Sequence, residues 1–594
     1  MRFSSIYALL TLAIFCFSSC TNSPEPEKPN VIFIMADDQG YGDIGAHGNP
    51  YIQTPNINKL HDESVSFLNF HVGTTCAPSR GGLLTGQYGN KVGVWHTING
   101  RQILAEGVTT MADIYKSNGY TTSIFGKWHL GDNYPFRPQD RGFDEVLVHG
   151  GGGVGQQPDY WNNDYFDDTY FRNGTPEKFE GYCTDVWFSE AKDFISKSKD
   201  KPFFCYVALN APHGPFNVPS KYSDLYADND NVPNPEFYGM ITNIDENLGS
   251  LRSFLDSLEI AENTILVYMT DNGTAAGVRF DAEGNETQGF NAGMRGTKSS
   301  NYEGGHRVPF FMHWPKGQIN VQKSIGQLVS YIDFMPTLMD LCGIKNTSDA
   351  VDGISLRPLL NDEPLSDRVL IVDTQREEFL VKGKRPSVMT NQWRMTGDDE
   401  LYDIKDDKGQ RINVASEYPE VMERLKNEYE FWWAKTSVLK DTYCYAKVGS
   451  ELAPEVTLFS HDLHMEKGMP AWNQVQLRAG SGDNGFWPIE VVKAGNYEIE
   501  LARWPKESGL GINEGAPAGD EIPQGIYYKE GLSLDIRFAQ ISIGEQTQEI
   551  KVNEGDRNAK VVMHLDAGKY NVNSKFTLED GSEKSVYYAY LKSI

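Results

Sequence analysis

Five short apolar runs, each halting at a polar motif, constrain this chain more than any other feature. "VIFIMADDQG" runs Val31–Ala36 and stops at Asp37 and Asp38. "SVSFLNFHVGTTCAPSR" leads toward Cys76, and "YTTSIFGKWHLG" leads to Lys127 and His129. "PFFCYVALNAPHGPF" leads to His213, and "NTILVYMTDNGT" leads to Asp271 and Asn272. Uninterrupted Val/Ile/Phe-rich runs read as strands buried on both faces, which means a mostly parallel sheet covered by helices. Between them lie helical patterns: "TTMADIYKSNGY", with its Gly stop, and the longer "YGMITNIDENLGSLRSFLDSLEI". Strands alternating with helices predict an α/β fold. Ligands of such sheets sit at the carboxyl ends of strands, so the five motifs are expected to converge on one edge.

After about Asp362 the pattern changes. "VLIVDTQ" reads as one more strand, and "ELYDIKDDKGQRINVASEYPEVMERLKNEYEFWWAK" as a strand and turn followed by an amphipathic helix. Beyond about Ser450, alternating strands with Gly/Asn/Asp turns predict a separate all-β sandwich. The expected organisation is a signal at 1–19, a tether at 20–29, a catalytic domain at 30–445 with a smaller subdomain at about 365–445, and a β-sandwich at 450–594.

The first residues carry Arg2 and then an apolar stretch, Tyr7–Phe17, too short to span a bilayer and suited to a signal peptide. It ends in "FSSC", which resembles a bacterial lipoprotein signal with Cys20 as the lipidated residue. The expected location is the bacterial cell envelope, periplasmic or outer-membrane-anchored, with membrane contact through the lipid anchor alone. Net charge is −27 without a basic stripe or tail, which argues against a nucleic-acid partner. Outside the signal, Cys76, Cys183, Cys205, Cys342 and Cys444 form no zinc-ligand spacing.

The strand-end residues divide into two chemical sets. Asp37, Asp38, Asp271 and Asn272 offer oxygen ligands, which suit Ca2+ or Mg2+ rather than zinc. Lys127, His129, His213 and Lys298, the last in "MRGTKSSNYEGGHRVP", suit a tetrahedral oxyanion. Arg80 follows Cys76 by one helical turn if a helix begins there, and a helix N-terminus favours an anion.

"CAPSRGGLLTG" resembles the signature of the type I, formylglycine-dependent sulfatases of the alkaline phosphatase superfamily. "ADDQGYGD", "GKWHLG", "PHGPF", "TDNG" and "RGTK" resemble that family's companion motifs, in the same order and across about residues 30 to 440. The resemblance implies an alkaline-phosphatase-like α/β sheet. It implies that Cys76 is oxidised by a formylglycine-generating maturation enzyme to Cα-formylglycine (3-oxoalanine). The hydrated aldehyde is then a nucleophile and metal ligand, and its second hydroxyl drives release of sulfate. By the same resemblance Asp37, Asp38, Asp271 and Asn272 hold calcium, Arg80 orients the gem-diol, and Lys127 and Lys298 bind sulfate. His129 accepts a proton during elimination, and His213 contacts the substrate and protonates the leaving alcohol.

The expected substrate is a sulfated carbohydrate: a glycosaminoglycan, mucin glycan or algal polysaccharide. The alternatives are a formylglycine-dependent phosphonate monoester hydrolase or phosphodiesterase and, from another class, a surface glycan-binding lipoprotein. A two-zinc phosphatase needs histidine ligands that the Asp271–Asn272 pair does not supply. The glycine-rich, aromatic insert "HGGGGVGQQPDYWNNDYFDDTYFRNG" is expected to form part of the sugar pocket, with Trp161 in it and His96 and Arg101 beside it.

Overall fold

The computed structural model describes residues 27–345, 350–373 and 375–594. The signal segment, Cys20 and the tether up to residue 26 lie outside the described residues. Strands β1 (Asn30–Ala36), β2 (Val65–Phe67), β3 (Thr121–Lys127), β4 (Glu145–His149), β5 (Thr169–Arg172), β6 (Thr175–Lys178), β7 (Phe203–Ala208), β8 (Thr264–Thr270), β9 (Phe310–His313) and β10 (Lys323–Ile325) form one sheet. Their order is β10-β2-β9-β8-β1-β7-β3-β4-β5-β6. The centre, β8-β1-β7-β3-β4, is parallel throughout. Each residue of β1, β7 and β8 is buried, as continuous apolar runs require when helices cover both faces.

One expected strand differs. The run toward Cys76 breaks into β2 and a two-residue piece, Phe70–His71, which pairs instead with Val329–Ser330. Asn69, between the pieces, has its side chain bonded to the Gly326 carbonyl and to His71, and this draws the chain out of the sheet. Strand β2 is antiparallel to β9, which is antiparallel to β8, so β2 still runs with the parallel core.

Helix α1 (Cys76–Thr85) starts where the signature begins. Pro78 sits in its first turn, where the missing N–H has no intrahelical partner to lose. Gly86, at φ 64, ends it in a left-handed cap. The long amphipathic pattern forms α2 (Pro235–Ser257), capped by the Asn234 side chain. It buries Ile244, Leu248, Leu251 and Leu255 against Ile34, Cys205 and Val207 of the sheet. Each such side chain contributes about 1.5–3 kcal/mol by leaving water.

Strands Leu370–Val372, Ser387–Met389, Trp393–Thr396 and Glu400–Asp403 form a small antiparallel sheet, packed by α3 (Pro419–Thr436). The C-terminal part holds two further sheets. One contains Ala446–Val448, Phe486–Val491, Gly568–Leu578, Ile536–Ile543 and Gln546–Lys551; the other contains Glu455–Phe459, Tyr588–Ser593, Gly495–Ala502 and Ala559–Leu565. Trp487, Ile499, Leu501, Ile541, Phe576 and Leu591 share the core of this part, so Trp487 serves packing.

Candidate active site

The strand ends bring the two chemical sets together. Strand β1 delivers Asp37 and Asp38, β8 delivers Asp271 and Asn272, and Lys127 is the last residue of β3. Gly126, at φ 115, precedes it; a Cβ there would lie 2.0 Å from the Ala208 carbonyl oxygen of β7, so glycine is required for this close approach. Asp38 (φ 67) and His129 (φ 60) both occupy the left-handed region, a strain of order 1–3 kcal/mol that clusters at functional sites.

The charges pair across the sheet edge. Lys127 Nζ lies 2.6 Å from Asp37 Oδ2 with both side chains fully buried. Lys298 Nζ lies 2.6 Å from Asp38 Oδ1. Arg80 places Nε and Nη2 each 2.8 Å from Asp271 Oδ2 and donates onward to the Leu209 carbonyl. Asn272 donates to Asp38 Oδ1 at 2.9 Å, and the Asp38 N–H donates to Asp271 Oδ1 at 3.2 Å. Burial works against an ionised Asp38, but Lys298, His213 and Lys127 together outweigh it; the carboxyl is held well below its usual range. Burial, and then Asp37, push Asp271 up to about 6, with Arg80 opposing.

Cys76, at the start of α1, is 2% exposed. Burial, reinforced by Asp37, pushes its thiol up to about 12. An unmodified Cys76 therefore stays protonated and is a poor nucleophile at neutral pH.

The histidines present different nitrogens. His129 Nε2 sits 2.9 Å from the Thr97 carbonyl, which can accept alone, so Nε2 carries the proton. The lone pair is then on Nδ1, buried and without a hydrogen-bond partner. His213 is reversed: Nδ1–H donates to the Gly214 carbonyl at 2.6 Å, and Nε2 lies 3.8 Å from Asp38 Oδ2. Burial, and then Lys127, hold His129 well below its usual value; burial, and then Lys298, bring His213 down to about 4.

Oxygen atoms remain for a cation. Asp37 Oδ1 and Asn272 Oδ1 are buried with no hydrogen-bond partner among the described residues. Ligand atoms of Asp37, Cys76 and Asp271 all lie within 4.8 Å of one another. Hard oxygen donors with unpaired lone pairs fit a divalent cation of the calcium or magnesium type. A second buried group, His71, Glu303 and His306, is equally close-set.

The glycine-rich insert reaches the site, where its Tyr165 hydroxyl donates to the His213 carbonyl at 2.6 Å. A Cβ at Gly152 would lie 2.2 Å from the His129 ring, and one at Gly153 would lie 3.1 Å from His213 Nδ1. Trp161 instead packs against Trp504 at 5.3 Å, with the Arg478 guanidinium over it. Arg101 is buried against Glu378 at 2.9 Å and the Thr442 carbonyl, and His96 is buried too, its Nδ1 receiving the N–H groups of Thr97 and Ile98. These contacts hold Trp161 and Arg101 in internal packing.

Two histidines of the site escaped the sequence reading. His149 ends β4, its Nε2 buried and unpartnered, and burial brings it down to about 3 with Lys127 pressing the same way. The strand-end rule that found Lys127 finds it as well. His461, from the C-terminal part, has its ring 6.4 Å from that of His129; no local pattern signals it. Among the described residues the five cysteines are free thiols.

Residues 29–344 match the sulfatase family model, and residues 297–432 match the C-terminal region of N-sulphoglucosamine sulphohydrolase. Human N-acetylgalactosamine-6-sulfatase is 31% identical over 369 residues, 58% of this chain and 68% of that protein. An N-acetylgalactosamine-6-O-sulfatase of Bacteroides thetaiotaomicron is 29% identical across 69% of this chain and 94% of its own length. Among solved structures, Ps i-CgsB in complex with a neocarrahexaose superposes with a TM-score of 0.62 at 28% identity, covering 69% of this chain and 94% of that one. On these grounds the chain belongs to the sulfatase family and is a sulfuric ester hydrolase.

Proposed function

We propose that this enzyme removes O-sulfate from a carbohydrate, with residue 76 as formylglycine and a calcium ion held by Asp37, Asp38, residue 76, Asp271 and Asn272. The observation that carries the reading is the close grouping of Asp37, Cys76 and Asp271 ligand atoms beside unpaired Asp37 and Asn272 oxygens. Three carboxylates there face three cations, Arg80, Lys127 and Lys298. A bound divalent cation leaves the site net positive, which suits an anionic sulfate ester. When present, formylglycine supplies a hydrated aldehyde as nucleophile and calcium supplies Lewis-acid polarisation of a sulfate oxygen.

The chain's own residues do the rest. Lys127 and Lys298 bind sulfate oxygens. Arg80, its guanidinium taken up by Asp271 and carbonyls, holds that carboxylate in place beside residue 76. His129 offers Nδ1 as the proton acceptor. His213 offers Nε2 toward the leaving alcohol; an arriving anion favours its imidazolium, so the acid forms when substrate binds.

Relatives named for N-acetylgalactosamine 6-sulfate and for ulvan support a sulfated amino sugar or an algal polysaccharide as substrate. Because Cys76 is buried, the maturation enzyme must act before the chain closes around it. Lipidation at Cys20 and an envelope location belong to the same reading; among the described residues no helix is long and apolar enough to cross a membrane. The test is peptide mass spectrometry across residue 76, with turnover measured on sulfated saccharides and an aryl phosphate diester. An untouched thiol in fully active native enzyme sinks the mechanism, and faster diester cleavage sinks the substrate class.

A further inference from the structure

The two family matches end at residues 344 and 432, both before the C-terminal sandwich. That sandwich nevertheless grips the site from two sides. Gln157, in the glycine-rich insert, is fully buried. Its N–H donates to the Trp472 carbonyl at 2.9 Å, and its Nε2 donates to the Tyr587 carbonyl at 2.9 Å. Its Oε1 accepts from the His461 N–H at 3.1 Å, and its carbonyl accepts from the Tyr588 hydroxyl at 3.3 Å. Every one of these partners belongs to the C-terminal part. Gln474 closes the same loop from the other direction. Its N–H donates to the Gly155 carbonyl at 3.0 Å, its Oε1 accepts from the Asn162 N–H at 2.9 Å, and its Nε2 donates to the Tyr160 carbonyl at 3.0 Å. Gly152 and Gly153, against His129 and His213, precede these anchors by a few residues.

The second grip is on residues 95–102. The Asn99 N–H donates to the His461 carbonyl at 2.9 Å, and Gln102 Nε2 donates to Asp462 Oδ1. That loop supplies the Thr97 carbonyl that fixes the His129 tautomer.

We propose that the sandwich is a positioning element of the catalytic site: through Gln157 and Gln474 it seats the glycine loop over His129 and His213, and through residues 461 and 462 it seats the loop that orients His129. The proposal rests on the reading of His129 as proton acceptor. A run of four glycines has no side chains of its own to hold a conformation and loses the most entropy on ordering. Outside bonds must therefore fix it, and buried polar groups satisfied on both sides make such a clamp rigid. Displacement of a catalytic group by about 1 Å costs about a hundredfold in rate.

The test uses full-length, matured, calcium-loaded enzyme carrying Gln157→Met or Gln474→Ala. Turnover on a sulfated saccharide and amide hydrogen exchange of residues 95–102 and 150–163 are measured. The expected result is kcat down at least about tenfold, KM within about twofold, and faster exchange in the glycine loop, with far-UV circular dichroism unchanged. Native kcat per folded molecule, whether or not Tm falls, overturns the proposal, as does native exchange in that loop. Full turnover by His129→Ala would instead overturn the role of His129, and the exchange data would still decide whether the sandwich holds the loops.

Discussion

Two buried clusters in this molecule each bring three potential metal ligands within 4.8 Å of one another, and they differ in what their lone pairs are doing. In the Asp37–Cys76–Asp271 group Asp37 Oδ1, and beside it Asn272 Oδ1, have no hydrogen-bond partner among the described residues. In the His71–Glu303–His306 group each ligand atom is engaged. His71 Nδ1 meets His306 Nδ1 at 2.9 Å, and His71 Nε2 meets Asn69 Oδ1 at 2.8 Å. His306 Nε2 meets the Asn301 carbonyl at 3.2 Å, and Glu303 receives Arg394 at 2.6 Å and Arg307 at 3.4 Å. Arg394 belongs to the small antiparallel sheet, so the second cluster rivets that sheet to the catalytic core. Composition alone would rank both as cation sites; unpaired buried atoms separate the one built to receive something from the one already complete.

The sharpest way to break this comparison is Cys76→Ala, which removes the proposed nucleophile. Turnover should fall by about four orders of magnitude or more while circular dichroism stays native. A loss below about tenfold would remove residue 76 from the chemistry.

Next comes the cation. Asp271, pushed up to about 6, must give up its proton for a divalent ion to bind. Calcium affinity by calorimetry should therefore weaken below about pH 6, by about tenfold per pH unit once the carboxyl is protonated. The cation-free fold has the opposite sign. Its Asp271 titrates above the unfolded value near 3.9, so this group's contribution to stability improves as pH falls from about 6 toward 4. Calcium affinity that is flat with pH would place the ion elsewhere.

Gly152→Ala is a smaller perturbation. The new Cβ would meet the His129 ring at 2.2 Å, and kcat should drop by about ten- to a hundredfold with little change in Tm. Glu303→Gln sharpens the contrast from the other side. It leaves Arg394 buried without its ion partner, which should lower stability by about 3–5 kcal/mol in denaturant titration. Its effect on turnover should be the smallest of the series, with kcat per folded molecule unchanged. A large kcat loss there would make the second cluster part of the site.

Much of the site was legible because its residues follow their strands directly. An apolar run that stops at Asp37 or at Asp271 fixes both the strand and the edge where its chemistry emerges. The same logic applied to "DEVLVHGGGG" would have found His149. The run toward Cys76 misled in part because Asn69 and His71 bond to Gly326 and to each other, and no periodicity reports such side-chain capture. The partners of Trp161 were hidden for a related reason: in sequence it stands among glycines and polar residues, yet it packs against Trp504 and Arg478, far along the chain.

The chain by itself determined the parallel strands, the start of α1 at Cys76 and the oxygen-donor set at the sheet edge. These follow from side-chain period, helix-terminal preferences and residues adjacent in sequence, all of which act over a few positions. Tertiary structure alone decided which nitrogen each histidine offers, which carboxylate oxygens stay unpaired, and that residues 157, 461 and 474 meet around the catalytic loops. Those outcomes depend on which distant backbone carbonyl or N–H comes within about 3 Å, and that is fixed when long loops close and the core packs.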